Sequence, residues 1–324
     1  MVLPSGASHA ESGPFRHAAT IYGSDEGFLA TVVPFVQEGI DAGESTILAL
    51  TANQQALLTA AIGQPPGVSV LTPGDHYGRP LSALQANKIL FDGYLRGGAE
   101  RVRLVGDLPR DDPAIWKGWA RYEALCNHNF VDLNVSALCT YDTRNTTEEV
   151  LGDVRRLHSL IAAADGRHSA NSEYVQPLGF LSGWSQTVAD PLEAGEPEVA
   201  LVNPTPFEGR QAVTLIANSA GVDTEGLVIA VSEVLNNAYI HGQPPVRFSA
   251  WSRQGRVVVT VTDAGPGPSD PFAGLCPPSR ELLGGRGLWI ANQTCDSLSI
   301  SPDERGCVVR MVSEASPKSL SNRR

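Results

Sequence analysis

The chain has 324 residues, 42% hydrophobic and 18% charged, an ordinary globular composition with enough apolar material for two cores. Its 24 Lys and Arg against 35 Asp and Glu leave a formal net charge of −11, which opposes direct nucleic-acid binding because no basic cluster offsets it. No run of about eighteen uncharged apolar residues occurs, and the opening segment lacks both a basic start and an apolar stretch, so a cytoplasmic protein is expected, neither secreted nor membrane-inserted. Five cysteines (Cys126, Cys139, Cys276, Cys295, Cys307), odd in number and without CxxC spacing, fit reduced thiols better than a disulfide framework or a structural zinc site.

Residues 1–14 are expected to be disordered. From about Arg16 to Asp142, strand-like runs alternate with helix-like segments, the pattern of a mostly parallel α/β sheet covered by helices. Strands are predicted at 18–22, 45–51, 68–73, 101–107 and 134–142, and helices at 27–39, 54–62, 81–96 and 113–127. A further helix is predicted at 146–164, capped by Asn145 or Thr146, with Glu148 and Glu149 favouring the positive end of its dipole. There the pattern stops. Residues 164–206 are rich in Gly, Pro, Ser and acidic side chains, which places a linker at 178–197 between domains spanning 15–177 and 198–313.

The second domain reads as α+β, an antiparallel sheet with helices on one face. Its expected order is a strand at 199–203, helices at 209–220 and 223–240, strands at 246–252 and 256–263 around a Gln254-Gly255 turn, a Gly/Pro-rich loop, a helix from Gly287, and strands at 297–301 and 307–312. The tail, 314–324, is expected to be disordered.

Three features of this domain carry chemistry. On the helix 223–240, Glu233, Asn237 and His241 stand four residues apart and share one stripe, while Val231, Val234, Leu235 and Ala238 include candidates for the buried side. An amide oxygen one turn from a carboxylate is a hard ligand suited to Mg²⁺ held together with nucleotide phosphates. The same spacing also suits a plain solvated helix face. Asp263-Ala264-Gly265-Pro266-Gly267 follows a strand directly, so the carboxylate of Asp263 can accept from an adenine amino group while the glycines let a ring approach; it also reads as a strand-ending turn. Gly284-Gly285-Arg286-Gly287-Leu288-Trp289-Ile290 runs into an amphipathic helix and turns free N–H groups toward an anion.

EVLNNAYIHG, then DAGPGP, then GGRGLWIANQ resembles, in order and spacing, the nucleotide-binding boxes of the GHKL ATPases, and among them the small kinases that act as anti-sigma factors of the RsbW type. The resemblance covers residues 199–312. It implies a Bergerat-type α/β sandwich binding ATP with Mg²⁺, in which Glu233 is the catalytic base, Asn237 holds Mg²⁺, Asp263 reads adenine, Gly265, Gly267, Gly285 and Gly287 shape the pocket, and Arg286 touches phosphate. It further implies a serine/threonine kinase whose partners are a sigma factor and an anti-sigma factor antagonist, and a homodimer. One departure is the twenty-residue segment 264–283, Pro-rich with Arg280 as its only cation; another is Pro266 and Pro268, which stiffen the first glycine loop.

In the first domain, Arg16-His17-Ala18 before ATIY, then GIDAGEST, GDL, WARYE, CTYD and DVRRLHSLI resemble the MEDS sensory domain, a KaiC/RecA-like α/β module, over residues 15–177. MEDS followed by a GHKL ATPase is the architecture of RsbA-like regulators, and it implies sensing of a small molecule or protein signal. The stretch Gly39 to Thr46 has glycines but no lysine, and it lies after a helix and before a strand, the reverse of a phosphate-binding loop. His17, Tyr22, Cys139, Tyr141 and Asp142 lie near predicted strand ends and could line a sensory pocket. His158 is not read as the phosphoacceptor of a histidine kinase, because it belongs to the end of the first domain. Two function classes stay open: a kinase regulating a sigma factor, and a non-catalytic ATP-binding module that switches partners.

Overall fold

The computed structural model describes residues 14–110, 112–183, 189–270, 272–276, 285–303 and 306–315. The chain divides between Phe180 and Leu181 into two compact units, each built on its own sheet.

The first unit runs β1 (Arg16–Tyr22), α1 (Asp25–Asp41), β2 (Ser45–Ala49), α2 (Ala52–Ile62), β3 (Val68–Val70), α3 (Pro73–His76), α4 (Pro80–Arg96), β4 (Val102–Gly106), α5 (Pro113–Asn129), β5 (Val135–Asp142), α6 (Glu148–Leu157), β6 (Leu160–Ala162) and β7 (His168–Ala170); α7 (Pro177–Gly183) follows at the division. The sheet order is β3-β2-β4-β5-β1-β6-β7, parallel except for the β6/β7 hairpin. Strand β5, VSALCTYD, is buried at every position, as a central strand covered on both faces requires. One face packs Tyr22, Phe28, Val32, Phe35, Leu50 and Leu58 into a core with α1 and α2. Ser24 opens α1 by accepting from the Gly27 N–H, and Thr51 with Gln54 makes a reciprocal capping box on α2. Gly43, at φ +68°, turns the chain from α1 into β2, the helix-loop-strand order read from the sequence.

One predicted element is corrected. The helix expected at 146–164 is capped by Thr147, which accepts from the Val150 N–H, and it ends at Leu157. Residues 160–162 instead pair with β1, Ala18 opposite Leu160, and the chain returns as β7 through a turn holding Gly166 at φ +77°. An apolar run beside an unfilled sheet edge gains ladder hydrogen bonds that a last helical turn does not supply.

The second unit contains β8 (Val199–Val202), α8 (Pro206–Ala220), α9 (Thr224–His241), β9 (Arg247–Arg253), β10 (Arg256–Asp263), α10 (Gly287–Thr294), β11 (Ser297–Asp303) and β12 (Gly306–Glu314). Its sheet, β11-β12-β10-β9-β8, is antiparallel throughout, and Gly255 at φ +79° makes the β9/β10 turn. The core joins Val213, Ile216 and Ala217 of α8 and Leu227, Val231 and Leu235 of α9 to Phe248, Val257, Val259 and Met311 of the sheet. A 3-10 turn at Pro191–Ala194, within the expected linker, is tied to this sheet: Arg256 binds Asp190 at 2.7 Å and Arg310 binds Glu193 at 2.9 Å. Among the described residues, no helix is long and apolar enough to cross a membrane.

Candidate functional site

The helix α9 starts at Asp223, whose side chain accepts from the Glu225 N–H at 3.3 Å. Leu227, Ala230, Val231, Val234, Leu235 and Ala238 are buried in the core. That face leaves Glu233 and Asn237, one turn apart, half-buried on the flank of the helix, and His241 exposed at its end. The first residue of α10, Gly287, lies against this flank. A Cβ there would stand 2.8 Å from Glu233 Oε2, 2.9 Å from Asn237 Nδ2 and 3.4 Å from Asn237 Oδ1. Asn237 Nδ2 is buried without a hydrogen-bond partner, an arrangement that costs about 1–3 kcal/mol until a ligand or water completes it.

At the same end of α9, the strand β10 delivers Asp263. Its Oδ1 accepts from the Gln243 N–H at 3.1 Å and the Gly265 N–H at 2.7 Å, which aims the carboxylate and leaves Oδ2 for other donors. Two glycines make this approach possible: a Cβ on Gly242 would lie 2.4 Å from Asp263 Cγ, and one on Gly265 2.7 Å from Oδ1. Gly267, at φ +75°, passes over Cys307, whose thiol is pushed up to about 11 by burial and by the charge of Asp263.

Gly285 takes φ +76° ahead of α10, and Arg286, exposed, stands at its N-cap without a side-chain capping bond. The N–H groups of Gly287, Leu288 and Trp289 therefore form the positive end of the helix. Gly284, Arg280 and the rest of 277–284 lie outside the described residues. Thus Glu233, Asn237 and Gly287 come together, and Asp263 and Gly265 share a frame with Gly242 and Gln243. Sequence reading passed over the last two; their signal was the HG pair that ends the helix stripe.

In the first unit, strand alternation separates the five residues expected to line one pocket. Tyr22 lies in the core with Phe28, its hydroxyl accepting from Gln54 Nε2 at 2.9 Å, and burial raises its pKa to about 12. Asp142, at the end of β5, is held by Arg144 through its backbone N–H at 2.9 Å and its guanidinium at 2.7 Å. His17, Cys139 and Tyr141 take the opposite face, under α5 and α6, and meet two residues that were not assigned to the pocket, Glu123 and His158. Tyr141 donates to Glu123 Oε1 at 2.7 Å, and His17 Nε2 lies 2.9 Å from Glu123 Oε2. Burial alone would raise the Glu123 carboxyl, but the charges of His17 and His158 outweigh it and hold the group down to about 2. His158 is fully buried, so its ring is not open to phosphorylation, and burial followed by the charge of His17 lowers its pKa to about 4. Glu123 and Asn127 stand one turn apart on α5, Glu123 being the last residue of the WARYE motif.

Comparison with known families follows the same division. Residues 16–159 match MEDS, the methanogen/methylotroph, DcmR sensory domain. Residues 209–313 match the histidine kinase-like ATPase domain. No curated protein matches the chain.

Proposed function

We propose that this chain, in which a MEDS domain is followed by a histidine kinase-like ATPase domain, is a switch that binds Mg-ATP, controls an alternative sigma factor and phosphorylates a Ser or Thr of an antagonist protein. The two domains make it a regulatory ATP-binding protein; the sigma factor, the antagonist and the kinase specificity are the finer reading. The observation that carries it is Gly287 seated over Glu233 and Asn237, with Asn237 Nδ2 buried and uncompleted. These residues fit Mg-ATP: an amide and a carboxylate one turn apart, a gap where a side chain would stand, and a helix N-terminus beside them.

When bound, Mg-ATP supplies the phosphoryl group and neutralises the charge that develops on it. The chain supplies positioning. Asn237 Oδ1 would hold the metal, Asp263 Oδ2 would accept from the adenine amino group within the frame of Gly265 and Gly267, and the N–H groups after Gly285 and Arg286 would face the phosphates. Glu233 Oε2 would take the proton of the substrate hydroxyl. The folds that go with this reading are a KaiC/RecA-like sheet in domain 15–177 and a Bergerat-type sandwich in domain 198–313, with a homodimer as the working assembly.

Incubating the full chain with labelled Mg-ATP and candidate antagonists tests the proposal; acid-stable label on the antagonist is expected. A Glu233→Gln variant should bind ATP as before and lose transfer by about a hundredfold or more. Unchanged transfer removes Glu233 from the mechanism. The Pro-rich composition of segment 264–283 favours a second reading, a non-catalytic switch in which ATP changes partner affinity; ATP binding without transfer to any antagonist would select it.

A further inference from the structure

Four buried side chains of the first unit, from four different elements, converge on one point: His17 of β1, Glu123 of α5, Cys139 of β5 and His158 at the end of α6. One atom from each, His17 Nε2, Glu123 Oε2, Cys139 Sγ and His158 Nε2, lies within 4.8 Å of all the others.

The surrounding hydrogen bonds fix which atom each group presents. Asn127 Nδ2 donates to the Leu157 carbonyl at 2.8 Å and the Glu123 carbonyl at 3.3 Å, so its Oδ1, 3.0 Å from His17 Nδ1, can only accept, and Nδ1 carries the proton. His158 Nδ1 is 2.8 Å from the Val154 carbonyl and is likewise a donor. Both rings therefore turn Nε2 toward the centre. Glu123 Oε1 is occupied by the Tyr141 hydroxyl at 2.7 Å, which leaves Oε2 facing inward. The centre then holds two imidazole nitrogens, a carboxylate oxygen and a thiol, a set of acceptors with too few protons to satisfy it. A proton between His17 and Glu123 still leaves His158 Nε2 buried with no hydrogen-bond partner.

We propose that His17, Glu123, Cys139 and His158 bind one divalent transition-metal ion of the zinc class. The neighbouring separations are 2.9 Å for His17 Nε2 to Glu123 Oε2, 3.4 Å for Cys139 Sγ to His17 Nε2, 3.8 Å for His158 Nε2 to Glu123 Oε2, and 3.9 Å for Cys139 Sγ to Glu123 Oε2. A tetrahedral ion with metal–nitrogen and metal–oxygen bonds of about 2.0–2.1 Å and a metal–sulfur bond of about 2.3 Å spaces its ligands by about 3.3–3.6 Å, so these four separations lie within about half an ångström of that spacing, and the two from His158 Nε2 to His17 and Cys139, at most 4.8 Å, close by up to about 1.5 Å on binding. Coordination forms the metal–sulfur bond as the Cys139 thiol proton, with any proton held between His17 and Glu123, passes to solvent. A 2+ ion with one thiolate, one carboxylate and two neutral imidazoles is neutral overall, which suits a site closed to water. The soft sulfur and two imidazoles disfavour Mg²⁺ and Ca²⁺, which take oxygen ligands. Asn127, the Val154 carbonyl and Tyr141 supply the outer hydrogen bonds that orient metal ligands elsewhere.

A small cavity of about 20 Å³, the room of about one water, adjoins three of the four ligands, His17, Glu123 and Cys139, beside Phe15, Tyr77 and Phe91. Of its ligands, His17 and Cys139 belong to the sensory pocket expected from the sequence; Glu123 and His158 do not, because no two of the four share a local spacing motif. It does not depend on the nucleotide reading of the second unit.

The test uses the full chain, stripped with a chelator, shown by near-ultraviolet circular dichroism to be folded, and titrated with Co²⁺ alone. Saturation at one equivalent is expected, with a sulfur-to-cobalt charge-transfer band and the intense visible bands of tetrahedral cobalt, both abolished by Zn²⁺. Cys139→Ser should remove the charge-transfer band, and Asn127→Ala should weaken zinc binding by about 10–100-fold. Should the variants not fold, X-ray absorption on the unaltered zinc-loaded chain decides: one sulfur and three nitrogen or oxygen neighbours are expected. A folded chain that takes up no cobalt, a shell with no sulfur or with two or more, or a charge-transfer band intact in folded Cys139→Ser would overturn the proposal.

Discussion

Gly287 shows how a missing methyl group can shape a site. A Cβ there would press on Glu233 Oε2 and Asn237 Nδ2, both ends of side chains that can swing aside, so the fold should tolerate alanine while the cradle closes. Gly287→Ala is expected to weaken Mg-ATP binding at least about tenfold by calorimetry with a thermal midpoint within about 2 °C of the parent. An unchanged dissociation constant would show that this approach is packing alone. The residues of this site were legible in the sequence because one helix and two glycine loops carry them, and local periodicity exposes such groupings. His17, Glu123, Cys139 and His158 were not legible together, because a parallel sheet and two helices bring them to one point. Strand parity also divided the expected five-residue pocket: residues 17, 139 and 141 share one sheet face, while Tyr22 and Asp142 do not join them.

Among the elements, α9 and α10 depend on each other through Gly226. A Cβ at this position would lie 2.1 Å from the Thr294 carbonyl oxygen, and a backbone atom, unlike a side-chain tip, cannot move without carrying its helix with it. Gly226→Ala should therefore cost about 1–3 kcal/mol in urea unfolding of the second unit, against the small gain an alanine brings to an exposed helix. It should also weaken nucleotide binding, since α10 carries Gly287. A variant as stable as the parent would mean that the two helices slide freely. Most elements were legible from periodicity, with ends moved by one to three residues. The earlier start of α8 follows from Thr205, Pro206 and Glu208, a capping box with proline in the first turn that the sequence already contained. The β6/β7 hairpin was not legible, because LIAAA is as compatible with a helix as with a strand until an open edge of β1 is present.

For the whole molecule, the two units have separate cores, as the apolar content allowed. A sensory domain regulates an ATP-binding domain only if occupancy of one changes the affinity of the other, and such coupling is reciprocal by thermodynamic necessity. The proposed metal and nucleotide sites lie in different units, so their coupling can be measured in both directions on one preparation. Titrating Mg-ATP into zinc-loaded and stripped chain should give dissociation constants that differ by about 5–150-fold, a coupling of about 1–3 kcal/mol. Titrating zinc with and without saturating Mg-ATP must then give the same factor, in the same sense. Equal constants in both experiments would make the metal a structural support of the first sheet, and would require the regulatory signal to act on the chain through some other part of that domain.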